Sequence, residues 1–120
     1  MNLLSETIDA IKDSGHTPED IYFIGSRESG HSCTWEEYKK LADIEYGNGY
    51  GSQEVARDLI IVFKDGSSMW REEFDVAEWW SFARPFQFPT EQKTISRLVV
   101  AEDEIGYKTL AELNQNKINV

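Results

Sequence analysis

The sequence predicts an α+β domain: an antiparallel sheet of three to four strands with a central β-hairpin, packed by two to three helices. Three observations carry this. Asp65-Gly66 stands between the β-branched run Leu59-Ile60-Ile61-Val62-Phe63 and an alternating segment from Ser68 to Phe74, which is the pattern of a hairpin. Thr34-Trp35-Glu36-Glu37 and Thr109-Leu110-Ala111-Glu112 are both capping boxes, each opening a helix. Finally, 120 residues suffice for one domain, and 40% hydrophobic content with four Trp, five Tyr and six Phe supplies a packed core.

The elements follow in chain order, over a single domain spanning 1–120. Leu3 to Ser14 places Leu4, Ile8 and Ile11 at helical spacing, with Asp9, Lys12 and Asp13 turned away, and Gly15 and Pro18 stop the helix. Ile21-Tyr22-Phe23-Ile24, bounded by Asp20 and Gly25, reads as a buried strand, and the polar Ser26–Ser32 segment with Gly30 as a loop. Trp35, Tyr38, Leu41, Ala42 and Glu45 share one face of a helix running from about Trp35 to Tyr46. Gly47-Asn48-Gly49-Tyr50-Gly51 then makes a flexible connection.

Asp58 to Lys64 predicts a central strand. In the return strand Met69, Arg71 and Glu73 alternate with Ser68, Trp70, Glu72 and Phe74, giving one charged and one aromatic face. Asp75-Val76-Ala77-Glu78 reads as a cap and one helical turn that gathers Trp79, Trp80 and Phe82. Pro85 and Pro89 exclude a central strand between them. Thr94 to Ala101 predicts a further strand carrying Ile95 and Leu98-Val99-Val100. A short C-terminal helix from Leu110 closes the chain, with Leu113 and Lys117 or Ile118 on its face.

Composition bounds the function. The net charge is -10, and all of this surplus lies in residues 1–92, which hold 18 acids and 8 bases against 4 and 4 in residues 93–120. That balance opposes direct nucleic-acid binding and anionic membrane surfaces. The segment Met1–Glu6 has neither a basic leader nor a long apolar stretch, so no signal peptide is expected. The lone Cys33 excludes an internal disulfide and fits a reducing, cytoplasmic compartment.

Chemistry is sparse. His31 and Cys33 lie two residues apart in a loop before a helix N-terminus, where a thiol pKa can fall. The alternative is a small apolar cysteine beside Trp35 and a solvated histidine. His16 is the other histidine. No Cys-x-x-Cys, His-Glu-x-x-His or alternating Asp loop supports a metal, so no metal and no cofactor are expected. Gly47-x-Gly49-x-Gly51 follows a helix and lacks a Gly-Lys-Ser/Thr, which reads as a turn rather than a phosphate cradle. Glu36/Glu37 and Glu72/Glu73 are neighbours that point apart, not a glycosidase pair.

The acids therefore read as a surface. Glu36, Glu37, Asp43 and Glu45 decorate the central helix, while Glu72, Glu73, Asp75 and Glu78 cluster beside Trp79, Trp80 and Phe82. Carboxylates beside exposed aromatics suit binding to a basic protein, the aromatics (Trp79, Trp80 or Tyr50) anchoring and the charges steering. The alternative is that the tryptophans fill the core and the acids form a solvated rim.

Residues 57–89, from Arg57-Asp58-Leu59-Ile60-Ile61 through Asp65-Gly66 to Glu78-Trp79-Trp80-Ser81-Phe82 and Pro85, resemble a hairpin block of small bacteriophage and prophage proteins. In size and acidity the chain is similar to anti-CRISPR and anti-restriction inhibitors. That resemblance implies no catalytic residues. It implies a non-enzymatic, phage-encoded inhibitor, a monomer or homodimer in the host cytoplasm, whose acids mimic DNA phosphates on a nuclease or CRISPR effector complex. Charge reversal of Glu72, Glu73 and Glu78 together is then expected to slow association without unfolding. The alternatives are an immunity protein neutralising a basic toxin, a small Cys33-dependent enzyme, and a phage assembly component.

Overall fold

A computed structural model of the chain describes residues 1–47 and 52–115. It divides into two compact units, Met1–Phe86 and Gln87–Val120. The first holds helix α1 (Leu3–Asp13), strands β1 (Ile21–Gly25) and β2 (Ser32–Cys33), helix α2 (Trp35–Ala42), and strands β3 (Ile60–Phe63), β4 (Ser68–Phe74) and β5 (Ala77–Ala83). The strands form one five-stranded antiparallel sheet in the order β2-β1-β3-β4-β5, one strand more than the largest number expected. The α+β class holds.

Register decides what lies under the helices. Ile24 pairs with Ile61 and Ile61 with Met69, so these three project from one face. They form the core with Leu3 and Ile11 of α1 and Tyr38 and Ala42 of α2, so both helices cover that face. The buried stripe of α1 is Leu3, Thr7 and Ile11, while Ile8 is exposed. Thr7 is admitted because its hydroxyl bonds Leu3 C=O at 2.7 Å and Tyr38 Oη at 2.8 Å. Burial pushes the Tyr38 phenol up to about 12.

Two hairpins shape the sheet. At Asp65-Gly66, Phe63 C=O accepts from Gly66 N–H at 2.9 Å and Phe63 N–H donates to Ser67 C=O at 2.8 Å, a three-residue loop. Gly66 takes φ 88, which the loop requires and glycine adopts without strain. The second hairpin replaces the helical turn expected at Asp75–Glu78. Phe74 pairs with Ala77 across a two-residue connection in which Asp75 takes φ 60. At β1, Gly25 has no alternative: a Cβ there would lie 2.0 Å from His31 O.

Other expectations are corrected by tertiary pairing. Helix α2 ends at Ala42 rather than Tyr46 because the chain after it runs extended beside the N-terminus, Leu3 N–H donating to Ile44 C=O at 3.1 Å and Asn2 bridging Glu45. Cys33 lies in the edge strand β2, not in a loop. The Gly47–Gly51 connection falls largely outside the described residues, as does Tyr50.

In the second unit, the strand expected over 94–101 is absent, and the segment is irregular. Its backbone is satisfied by a side chain: Asn114 Oδ1 accepts from Ser96 N–H at 2.7 Å and from Arg97 N–H at 2.8 Å. Arg97 pairs with Glu104, whose carboxyl is held down at about 2, first by that guanidinium and then by the Ala101 N–H. The expected helix is α3 (Leu110–Leu113), capped by Thr109, with Leu113 buried; Lys117 and Ile118 lie outside the described residues. Among the described residues no helix is long and apolar enough to cross a membrane.

Candidate protein-binding surface

The β4–β5 ladder sorts the hairpin residues onto two faces. Arg71 opposes Trp80 and Glu73 opposes Glu78 on the helix-covered face, while Glu72 opposes Trp79 on the other. Trp80 is thus half-buried, its indole N–H donating to Thr7 Oγ1 at 3.1 Å. Trp79 stays 41% exposed. Glu72 is exposed opposite it and accepts from the Trp70 indole at 2.8 Å, Asp75 is exposed in the turn beyond, and Glu73 is exposed on the other face.

Glu78 differs from its neighbours. It is 3% exposed and faces inward, where Arg71, itself 8% exposed, donates to it at 3.0 Å. Its two oxygens also accept from the Glu54 N–H at 2.8 Å and the Val55 N–H at 3.3 Å. Glu78 therefore anchors a loop inside the fold and does not contribute to an exposed acidic surface. Charge reversal there would set a cation against Arg71 and unfold the unit, so it is no test of association.

Arg71 is the centre of a buried network. Its other branch reaches Glu6 at 3.1 Å, and Tyr46 Oη both accepts from Arg71 at 3.1 Å and donates to Glu6. The guanidinium lies over the Trp80 ring at 5.1 Å and the Tyr46 ring at 5.8 Å. Burial, then the bond to Glu6, pushes the Tyr46 phenol up to about 12.

The acids of α2 divide between its ends. At the start, Glu36 pairs with Lys39 at 3.0 Å, and Glu37 returns to the Thr34 N–H at 2.8 Å, which holds its carboxyl below the usual range. Past the end, Asp43 accepts from Asn2 Nδ2 at 3.0 Å and Glu45 pairs with the N-terminal amine at 3.1 Å. Asp43 and Glu45 therefore neighbour the start of α1, whose Asn2 and Met1 share a depression with Trp79 and Trp80. Glu36 and Glu37 lie a helix length away, about 12 Å. Only the first pair extends the acidic surface around Trp79.

Two residues that line this depression, Asp9 and Asp13, carry no role in the sequence reading beyond facing away from the core. Their spacing of four along α1 puts them on one flank, and that signal was available.

The nucleophile candidates are placed otherwise. Cys33 is half-buried against the core, and burial, then the charge of Glu37, pushes its thiol up, opposite to what a reactive thiol needs. His31 is exposed and bonds Ser29 Oγ at 2.7 Å. His16 instead meets Asp65 Oδ2 at 2.8 Å and Ser67 Oγ at 3.0 Å, both through Nε2. This resembles a hydrolytic triad in composition alone. Ser67 is fully buried, and one ring nitrogen faces both partners, so no proton can be relayed from the hydroxyl to the carboxylate side. Among the described residues no three His, Cys, Asp or Glu side chains converge as metal ligands.

No family model, curated protein or solved structure matches this chain.

Proposed function

We propose that the chain is a phage-encoded, non-enzymatic inhibitor, anti-CRISPR-like in action. It works in the bacterial cytoplasm by occupying a basic nucleic-acid-binding surface on a host defence nuclease complex. The observation that carries this reading is the Trp79 surface: an exposed aromatic with Glu72 opposite it, Asp75 in the adjoining turn, and Asp9 and Asp13 lining the depression it shares. Such a patch anchors through the indole and steers a cationic partner through the carboxylates, in a molecule whose net charge is -10. Carboxylates spaced along a helix flank and a hairpin present negative charge where a duplex presents phosphates.

The test is capture of nuclease complexes from a bacterial lysate at low and high salt, followed by competition with duplex DNA. A basic nuclease or effector subunit is expected to bind at low salt and be lost at high salt. DNA should displace the protein, and the Glu72→Lys/Glu73→Lys variant should associate at least about tenfold more slowly. Retention that ignores both salt and DNA would overturn the reading, as would the absence of any nucleic-acid-handling protein.

A further inference from the structure

The last strand of the sheet, β5, and helix α1 form the two walls of a trough. Helix and strand are tied by the Trp80–Thr7 bond and the Arg71–Glu6 pair beneath, which hold α1 over the end of the sheet. Two adjoining depressions of about 370 and about 210 Å3 share Ala10, Asp13 and Trp80 and together form the trough. Its strand wall is Trp79, Trp80 and Phe82, and its helix wall carries Asp9 and Asp13.

Three features point to an occupant. In the sheet order β5 pairs only with β4, so alternate residues turn their N–H and C=O groups away from the ladder. It is seven residues long, with no proline, lysine or bulge to blunt it, and its one inward charge, Glu78, with the loop bonded to it, lies at its start before Trp79. The helix wall is anionic, and neither Asp9 nor Asp13 has an ion pair among the described residues. Asp13 closes α1, where the helix dipole disfavours an anion, so its carboxylate lowers helix stability rather than raising it. The spacing completes the argument. Residues 9 and 13 are about 6 Å apart along the helix axis, and alternate side chains of an extended chain are about 6.6 Å apart.

We infer that the trough takes an extended cationic segment of a protein partner. The segment adds to β5 as a sixth strand and sets two Lys or Arg residues, two positions apart, over Asp9 and Asp13. The inference rests on the proposed cationic partner and sharpens it to a Lys/Arg-x-Lys/Arg stretch in β conformation.

The probe is a nine-residue peptide of alternating lysine and threonine carrying fluorescein, read by anisotropy against the full chain at low salt. Amide resonances of the labelled protein are followed in parallel. Saturable binding is expected, with the largest shifts at residues 79–82. Binding should weaken at least tenfold in Asp9→Asn/Asp13→Asn, and equally when alternate peptide nitrogens are methylated. Both substitutions are on an exposed helix flank and one removes an anion from the helix C-terminus, so a thermal melt should be no lower than that of the parent. Affinity unchanged by the double substitution or by methylation, or shifts centred on Glu36 and Glu37, would overturn the inference. If the peptide binds as expected but no nuclease is captured, the inhibitor reading fails and the trough stands. A captured nuclease indifferent to Asp9→Asn/Asp13→Asn leaves that reading and removes the trough.

Discussion

Two polar clusters tie α1 to the β4 hairpin, one at each end of the helix, and they are built on opposite principles. At the N-terminal end Glu6, Arg71, Glu78 and Tyr46 bury full charges under Trp80. At the other end His16, just past the helix, joins Asp65 and Ser67 at the hairpin loop, with Asp65 open to solvent and the imidazole stacked on Phe63 at 4.1 Å. A buried charge leaves a large penalty behind when its partner is removed, while an exposed one is rescued by water. The first cluster therefore fixes the architecture around Trp79 and Trp80, and the second ties the hairpin loop to the end of the helix at lower cost.

The sharpest way to break the comparison is Arg71→Met. It strands Glu6 and Glu78 in the interior without a counter-charge and should cost about 3–5 kcal/mol, measured by urea unfolding. Neutralising both carboxylates in the same chain, as Glu6→Gln/Arg71→Met/Glu78→Gln, should recover much of that loss, because the penalty belongs to the orphaned charges. If the single change costs under about 1 kcal/mol, the network does not hold the hairpin to the helix. His16→Ala should cost less, about 1–3 kcal/mol, through the lost ring contact and the unsatisfied Ser67 hydroxyl. Equal losses for the two variants would erase the distinction between the clusters.

The clusters also respond to opposite ends of the pH scale. The Ser67 hydroxyl and N–H, then His16, hold the Asp65 carboxyl well below its ordinary 3.8. A depressed acid stabilises the fold above its unfolded value, and that contribution is lost as pH falls below 3.8 toward the folded one. Tyr46 runs the other way. Raised from 10.0 to about 12, its neutral form stabilises the fold below 10, and the contribution drains away as pH climbs from 10 to 12. Asp65→Asn should flatten the acid limb of a stability-against-pH curve and leave the alkaline limb alone. Tyr46→Phe should do the reverse, although part of the alkaline loss persists through Tyr38, which is raised to about 12 as well. A common shift of both limbs by either variant would mean that the two clusters titrate as one.

Much of this was legible where the signal is local. The Asp65-Gly66 hairpin follows from one glycine at positive φ, and both capping boxes form because their partners lie three residues apart. The second hairpin was hidden, since a β-branched Val76 beside Asp75 has no turn signature and Asp-x-x-Glu reads equally well as a helix cap. The run at 94–101 has the side chains of a strand, but a strand also needs a partner, and Asn114 takes that place. The same gap separates the acids. Glu72, Glu73, Asp75 and Glu78 look alike in sequence. The register puts both Glu73 and Glu78 on the Arg71 face, and only the buried pair with Arg71 and the bonds from the Glu54 and Val55 N–H groups show that Glu78 is structural. Asp9 and Asp13 were readable as a helix flank, but the strand that gives the flank meaning lies some seventy residues on.

The smallest predicted effect lies at the turn between the clusters' two strands. Asp75 holds φ 60, a conformation that costs an L-residue about 1–2 kcal/mol, although aspartate bears it better than most. Asp75→Gly removes that strain but frees the unfolded chain, so the two terms partly offset, for a net gain of at most about 1 kcal/mol. The backbone carbonyl that accepts from Gln53 Nε2 at 2.9 Å survives the change, so the loop tether should be intact. The variant also deletes one carboxylate of the Trp79 surface without touching the Arg71 network. Measuring its stability beside its rate of association with a cationic partner therefore separates the fold's use of this turn from the surface's. A more stable protein that associates more slowly is the expected pair of results. A less stable one would mean that the freedom gained by the unfolded chain, or a contact of Asp75, outweighs the strain.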